Sequence, residues 1–360
     1  MSRGRPAAEP ALNQDFSRYD QVRKAHTYRI AEHESDLFDD DYEIATLDFE
    51  PFLRGDARDK ARFAEAFGAA LREIGFAVLV GHGVDAALYD DMHDQVLDLF
   101  TSTSLEDKMR FRAARHGSVA QGYFPIEETS EIHPDLVEGW VWCRRAFDMK
   151  QDRDGPFRPE DFWPRAGYER QFRRLALAHE ALFKPIAQAM FQGIGCDPHA
   201  YDGKLTNTNF GLRANHYPAM SADQDRSGAA RLFGHEDVDL FTILPATRVD
   251  GLQVWNHRSG KWVRMRAPRG SIIINTGDYM QLLSNDLLPS TTHRVGKPSN
   301  GAHLAEARVS FPIAVYVWEN EILEVLPELG PPRYDPVRAV AFHTRSTSKF
   351  YGDGYAVDSA

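Results

Sequence analysis

From about Leu205 to Trp318 the chain is a series of short β-rich runs separated by turn residues. They are Thr206–Leu212, Asn215–Tyr217, Leu240–Leu244, Leu252–Trp255, Trp262–Met265, Ser271–Asn275 and Arg308–Val317. Strands this closely spaced predict a sandwich or barrel. The preceding half is patterned differently. Phe63, Phe67, Ala70, Leu71 and Ile74 recur at helical spacing between Asp59 and Ile74, and Gly75 ends that helix. Phe76–Val80 is a strand closed by Gly81-His82-Gly83. Asp85 opens a second helix through Met92, Val96, Leu99 and Phe100, and Ser104 caps a further turn. Residues 117–165 read as strands with long loops, and Tyr168–Gly195 as one long helix kinked at Pro185.

The expected organisation is one compact domain in four stretches. Residues 1–15 form a disordered arm. Residues 16–204 form a helical and strand region that packs on the core; its first part, about 16–35, carries a polar helical pattern. Residues 205–320 form the β-core, and 321–360 a tail that packs as a helix or lid.

Composition excludes several classes. With 360 residues the chain can bury a sizeable core. Its formal net charge of −11, with both signs mixed along the sequence, argues against a nucleic-acid surface. No run approaches the roughly 20 apolar residues of a membrane span. The opening MSRGRPAAEPALNQ lacks the apolar stretch of a secretory signal, so a cytoplasmic protein is expected. Cys143 and Cys196 are too few for a disulfide framework. Neither a phosphate-binding loop nor a Gly-x-Ser-x-Gly elbow occurs. A monomer or homodimer acting on a small molecule is the expectation.

Within the β-core stands Gly234-His235-Glu236-Asp237, and 56 residues beyond Asp237 lies Thr292-His293-Arg294-Val295. In extended backbone His235 and Asp237 point to one face, and a distant strand can bring a third ligand. Two imidazoles and one carboxylate leave about three positions open on an octahedral metal, an arrangement suited to iron(II). A lone His-x-Asp carries little weight in a chain with 14 histidines, so the flanking segments decide.

Those segments are Asn215-His216-Tyr217-Pro218, Gly251-Leu252-Gln253, Asn275-Thr276-Gly277-Asp278, His293-Arg294-Val295 and Arg308-Val309-Ser310. Earlier come Arg72 to Val84, with Gln121-Gly122-Tyr123 and Asp135-Leu136-Val137-Glu138-Gly139. In this order, over roughly residues 44–320, the chain resembles the isopenicillin N synthase-like branch of the non-haem iron(II)/2-oxoglutarate-dependent oxygenases. The resemblance implies a mostly β fold with flanking helices, its core a double-stranded β-helix (a cupin-like jelly roll). It also implies His235, Asp237 and His293 as ligands of Fe(II).

The resemblance further assigns Arg308 and Ser310 to the distal carboxylate of 2-oxoglutarate, with Tyr217 and Asn215 adding hydrogen bonds. A planar guanidinium fork and a hydroxyl donor match that group; the plainer reading of Arg308 is a salt bridge at the barrel end. The implied activity is a dioxygenase of specialised metabolism. It spends dioxygen and 2-oxoglutarate to hydroxylate, desaturate or cyclise a small, amino-acid-derived molecule. Some family members keep the same Arg-x-Ser pair for another carboxylate, so an oxidase that closes a ring without 2-oxoglutarate is the alternative. Two departures from the common plant pattern, His216 and the run Phe311 to Asn320, argue against a plant-type flavonoid or hormone substrate. For the substrate pocket the candidates are Tyr123, Trp142, Arg144, Gln253, Trp255 and Phe342. Arg144 is placed either against a substrate carboxylate or in an ordinary ion pair.

Overall fold

Short, β-branched strands with turn residues between them pair chiefly with neighbours distant in sequence, and two sheets result. The computed structural model describes residues 17–24, 37–117, 119–126, 136–149, 156–219, 231–299 and 301–357. The larger sheet runs, in spatial order, β1 (Thr46–Asp48), β2 (Phe76–Val80), β11 (Ile272–Thr276), β8 (Phe241–Pro245) and β14 (Ile313–Val315). It continues through β6 (Phe210–Tyr217), β5 (Glu138–Cys143), β4 (Val119–Phe124) and β3 (Ala114–His116), while β13 (Arg308–Ser310) also pairs with β6. The smaller sheet is β10 (Lys261–Arg264), β9 (Leu252–Asn256), β12 (His293–Val295) and β7 (Leu232–His235). Except for the parallel β1–β2 pair, the named strands pair antiparallel. This is the expected jelly roll, with β1 to β5 extending the larger sheet from both edges.

Helices brace the outside. In α1 (Ala57–Ile74) the Asp56 carboxylate accepts from the amides of Arg58 and Asp59, and Gly75 closes the helix at φ 72°. A Cβ at Gly75 would lie 2.5 Å from the Pro289 carbonyl oxygen, so only glycine makes this turn into β2. The helix α2 (Ala86–Ser102) is capped by Asp85, and α3 (Tyr168–Gly193) runs through Pro185. The α1 and α3 helices touch backbone to backbone where Gly68 faces Gly193; a Cβ on Gly193 would approach the Ala64 oxygen to 2.3 Å. In the tail, α4 (Ala339–Tyr351) buries Phe342 against Tyr279. Burying such side chains is worth about 1.5–3 kcal/mol apiece.

Two expectations about elements differ, and a third, of strands between residues 117 and 165, holds. Thr206–Leu212 and Asn215–Tyr217 belong to one strand, β6, which begins only at Phe210. Residues 117–165 hold β4 and β5, together with described turns at Arg144–Ala146 and Pro159–Asp161. Of the pattern at 16–35, only 17–24 is described, with a single 3₁₀ turn at Ser17–Tyr19; the arm at 1–15 lies outside the described residues.

Candidate metal centre and its cavity

His235 closes β7 and is paired across the smaller sheet with His293, the first residue of β12. Asp237 follows two residues later, where the strand has ended. The three side chains converge. Their potential ligand atoms all lie within 4.8 Å of one another, and Asp237 Oδ1 is 3.9 Å from Nε2 of each histidine. Among the described residues they form the one such group of histidine, cysteine and acidic side chains.

Neighbouring groups set their orientation. Asp237 Oδ2 accepts from Thr242 Oγ1 at 2.9 Å and Asn275 Nδ2 at 2.8 Å, which leaves Oδ1 toward the imidazoles. His293 Nδ1 lies 3.1 Å from the Thr291 carbonyl, so that nitrogen carries the proton and Nε2 presents its lone pair. Burial alone would raise the Asp237 carboxyl, but His293 and His235 hold it below its ordinary range. Glu236, between the ligands, is engaged elsewhere. Burial opposes its charge, yet Lys24 and Lys349 pull its carboxyl down to about 2, and Thr292 donates to it.

The centre opens on a cavity of about 240 Å³. Side-chain alternation shows which strands build it. Gly211, Arg213, Asn215 and Tyr217 of β6 line it, and so do Arg308, Ser310, Pro312, Ala314 and Tyr316 along β13 and its continuation. The two series face each other in register, Arg308 against Tyr217 and Ser310 against Asn215.

Arg308 is 1% exposed. Its Nε and Nη1 find no partner among the described residues, and the guanidinium carbon lies 4.8 Å from the centre of the Tyr217 ring. Burial lowers its pKa while Tyr217 opposes that shift. A buried cation with idle donors is costly unless an anion completes it. Ser310 Oγ accepts from Asn215 Nδ2 at 3.3 Å, and Asn215 Oδ1 accepts from Arg213 Nε at 2.7 Å. Asn215 is thus already engaged on both sides of its amide.

The six residues named for the substrate pocket do not line this cavity. Tyr123 donates to Glu138 Oε2 at 2.7 Å and packs on Trp140. Trp142 is stacked between Trp140 and Trp163. Arg144 is buried in an ion pair with Glu180, with Asn207 at 3.3 Å. Gln253 accepts from Arg294 Nε at 2.7 Å, Trp255 packs edge-on against Trp262, and Phe342 points into the core. The physical reason is period two. Trp140 and Trp142 face the α3 side, whereas Val141 between them lines the cavity. Leu252 does so beside Gln253 and Phe124 beside Tyr123, while on helix α4 the step of about 100° per residue turns His343 to the cavity and Phe342 to the core.

Sequence reasoning also passed over Arg213, Tyr316, Thr347 and Tyr351 of the cavity wall, and Arg231 behind it. Arg231 Nη2 donates to the Glu306 carbonyl at 3.0 Å, while its Nε and Nη1 are buried without partners among the described residues. Burial, then the Arg308 charge, lower its pKa. Alternation along β6 from Asn215 back to Arg213 was a usable signal; the tail was read as a helix or lid, and its helix α4 does reach the cavity, but nothing in the sequence marked Arg231.

Comparison with known proteins agrees with this geometry. Residues 44–166 match the family model of the non-haem dioxygenase in morphine synthesis N-terminal region, and residues 208–315 that of the 2OG-Fe(II) oxygenase superfamily. The 2-oxoglutarate-Fe(II) type oxidoreductase ppzC of Metarhizium rileyi is 30% identical over 337 residues, which cover 86% of this chain and 88% of that protein. The isopenicillin N synthase of Streptomyces griseus is 25% identical over 80% of this chain and 91% of its own. Among solved structures, a full-length Neurospora crassa protein in complex with alpha-KG and thymine aligns at TM-score 0.75 with 21% identity, covering 88% of this chain and all of that one. The rice dioxygenase for auxin oxidation aligns at 0.64 with 23% identity over 87% of this chain and 99% of that one.

Proposed function

Since this chain belongs to the 2OG-Fe(II) oxygenase superfamily, whose cofactors are Fe(II), 2-oxoglutarate and dioxygen, we propose which of its residues hold them. His235, Asp237 and His293 are the iron ligands. Arg308, Ser310 and Tyr217 receive the far carboxylate of 2-oxoglutarate, and Asn215 positions Ser310. The donor set fits a ferrous ion, since two neutral imidazoles and one carboxylate leave adjacent positions for an organic chelator and a gas. The observation that carries the assignment is the pair of unpartnered N–H groups on buried Arg308, which lines the same cavity as the three ligands.

When bound, iron(II) with 2-oxoglutarate and dioxygen supplies the oxidising power to break an unactivated C–H bond. The protein contributes the rest. Thr242 and Asn275 fix the Asp237 carboxylate, the Thr291 carbonyl fixes the His293 tautomer, and the apolar walls exclude water. Oxidation of a small molecule at a C–H bond, by hydroxylation, desaturation or cyclisation, is the outcome we assign, in a cavity of about 240 Å³, below the usual range of roughly 300–1,000 Å³. Among the described residues no helix is long and apolar enough to cross a membrane.

The test is Asp237→Ala. Iron content of the purified protein and succinate formed on turnover should both collapse, the latter by about a thousandfold or more, with the unfolding temperature little changed. Undiminished succinate would refute the ligand set.

A further inference from the structure

Two cationic arginines line the cavity, Arg308 at one end and Arg213 further along the same wall. Arg308 is accounted for by the co-substrate. Arg213 is not, and we infer that it anchors a carboxylate of the oxidised substrate, which makes that substrate a small monocarboxylic acid with an apolar or aromatic body. This inference rests on the reading of the metal centre given above.

Position along the strand separates the two arginines. Arg213 precedes Tyr217 by four residues on the same face of β6, and two residues advance about 6.7 Å along a strand, so their backbones are roughly 13 Å apart. Arg308 is in register with Tyr217, whereas the Arg213 amide bonds to the Pro312 carbonyl, four residues further along the opposite chain. A five-carbon diacid chelated at the metal and anchored on Arg308 occupies the Tyr217 end.

The state of the Arg213 side chain points to a second anion. Its Nε is committed to Asn215 Oδ1, which fixes the plane of the fork, and Nη1 and Nη2 have no hydrogen-bond partner among the described residues. Nor does any described carboxylate lie within 4.0 Å of it, whereas buried Arg144 and exposed Arg62 each have one. The acids lining the cavity are Asp237 at the metal and Glu236, which Lys349 and Thr292 already hold. The guanidinium lies 5.8 Å from the centre of the Phe124 ring, beside Gly139, where a Cβ would stand 3.5 Å from Nη2.

Around this charge the wall is apolar: Val119, Phe124, Val141, Ala314, Tyr316 and, from α4, Tyr351. A planar fork with two free NH2 groups matches a carboxylate edge to edge. Pairing there in a partly desolvated site is worth more than at an open surface, and it would hold the rest of the substrate between Phe124 and Tyr351 on the way to the metal.

The experiment uses protein loaded with iron(II) and 2-oxoglutarate under nitrogen, titrated calorimetrically with phenylacetate and 4-methylpentanoate, each against its own primary amide. Iron and 2-oxoglutarate affinities are measured first; their absence would sink the metal-centre reading and not this one. With both intact, each acid should bind at least about tenfold more tightly than its amide. Arg213→Gln should bring that ratio near one, and Arg213→Lys, which keeps the charge and loses the fork, should restore part of it. Three results overturn the inference. They are no preference for the acid in the unaltered protein (no binding of either included), a preference that survives Arg213→Gln, and a 2-oxoglutarate affinity that falls in parallel with the preference. The last would make Arg213 a support for the co-substrate through Asn215.

Discussion

Arg144 and Arg308 are both 1% exposed, yet they sit in opposite circumstances. Arg144, behind β5, spends its guanidinium on Glu180 and Asn207 and receives support from the carbonyl of Thr208 at 3.4 Å. Arg308, inside the barrel, leaves Nε and Nη1 idle. Burial itself therefore says nothing about role. A buried charge whose donors are all taken is part of the fold, while one with donors left over is addressed to something the chain does not contain.

That contrast can be broken by substitution. Arg144→Met should cost about 3 kcal/mol of stability, because it strands Glu180 and opens a polar hole. The affinity of the folded fraction for 2-oxoglutarate should not change; urea unfolding and calorimetry read the two quantities. Arg308→Met should do the reverse. The dissociation constant for 2-oxoglutarate is expected to rise roughly a hundredfold, about 2.7 kcal/mol, with stability unchanged or improved since an unpaired cation is gone. If Arg308→Met destabilises the protein as Arg144→Met does, the distinction fails.

A titration sharpens the same contrast on the core side. His179, in α3, is fully buried, with Nε2 3.1 Å from the Tyr89 hydroxyl and Nδ1 unpartnered. Burial, aided by the charge of His82, lowers its pKa to about 3. The fold thus prefers the neutral ring. Its contribution is complete above the unfolded value of about 6.5 and is lost progressively as pH falls toward 3. By pH 5 the loss is about 2 kcal/mol. His179→Leu should flatten the stability profile between pH 7 and 5; an unchanged slope would refute the assignment. The smallest effect is expected at Asn215, whose amide joins Ser310 to Arg213. Asn215→Ala should weaken 2-oxoglutarate binding by about threefold to tenfold.

How much of this was legible beforehand follows the range over which each signal acts. Helix α1 with its Gly75 stop, and the strand series of the barrel, rest on local periodicity and turn chemistry, so their reading agrees with the structure. Arg308 and Ser310 are spaced two apart, and that spacing survives folding as a shared face; His235 and Asp237 converge although the strand ends at His235. The pocket residues failed for the same reason inverted. Choosing Trp142 and Arg144 over Val141 takes the bulky, chemically conspicuous face of β5, and that face packs on α3, where volume is needed. The tail was expected as a helix or lid, but which face of α4 meets the cavity depends on tertiary contacts of residues more than 100 positions from β7, so Phe342 was named where His343, Thr347 and Tyr351 do the lining.

That seat gives the chain's far end a double grip on the active site. His343, Thr347 and Tyr351 recur every fourth residue on one stripe of the last helix and shape the cavity, while Lys349 reaches the carboxylate lodged between two metal-binding positions. Exchanging His343, Thr347 and Tyr351 while keeping Lys349 should therefore shift the range of acceptable molecules and leave β7 and β12 as they are.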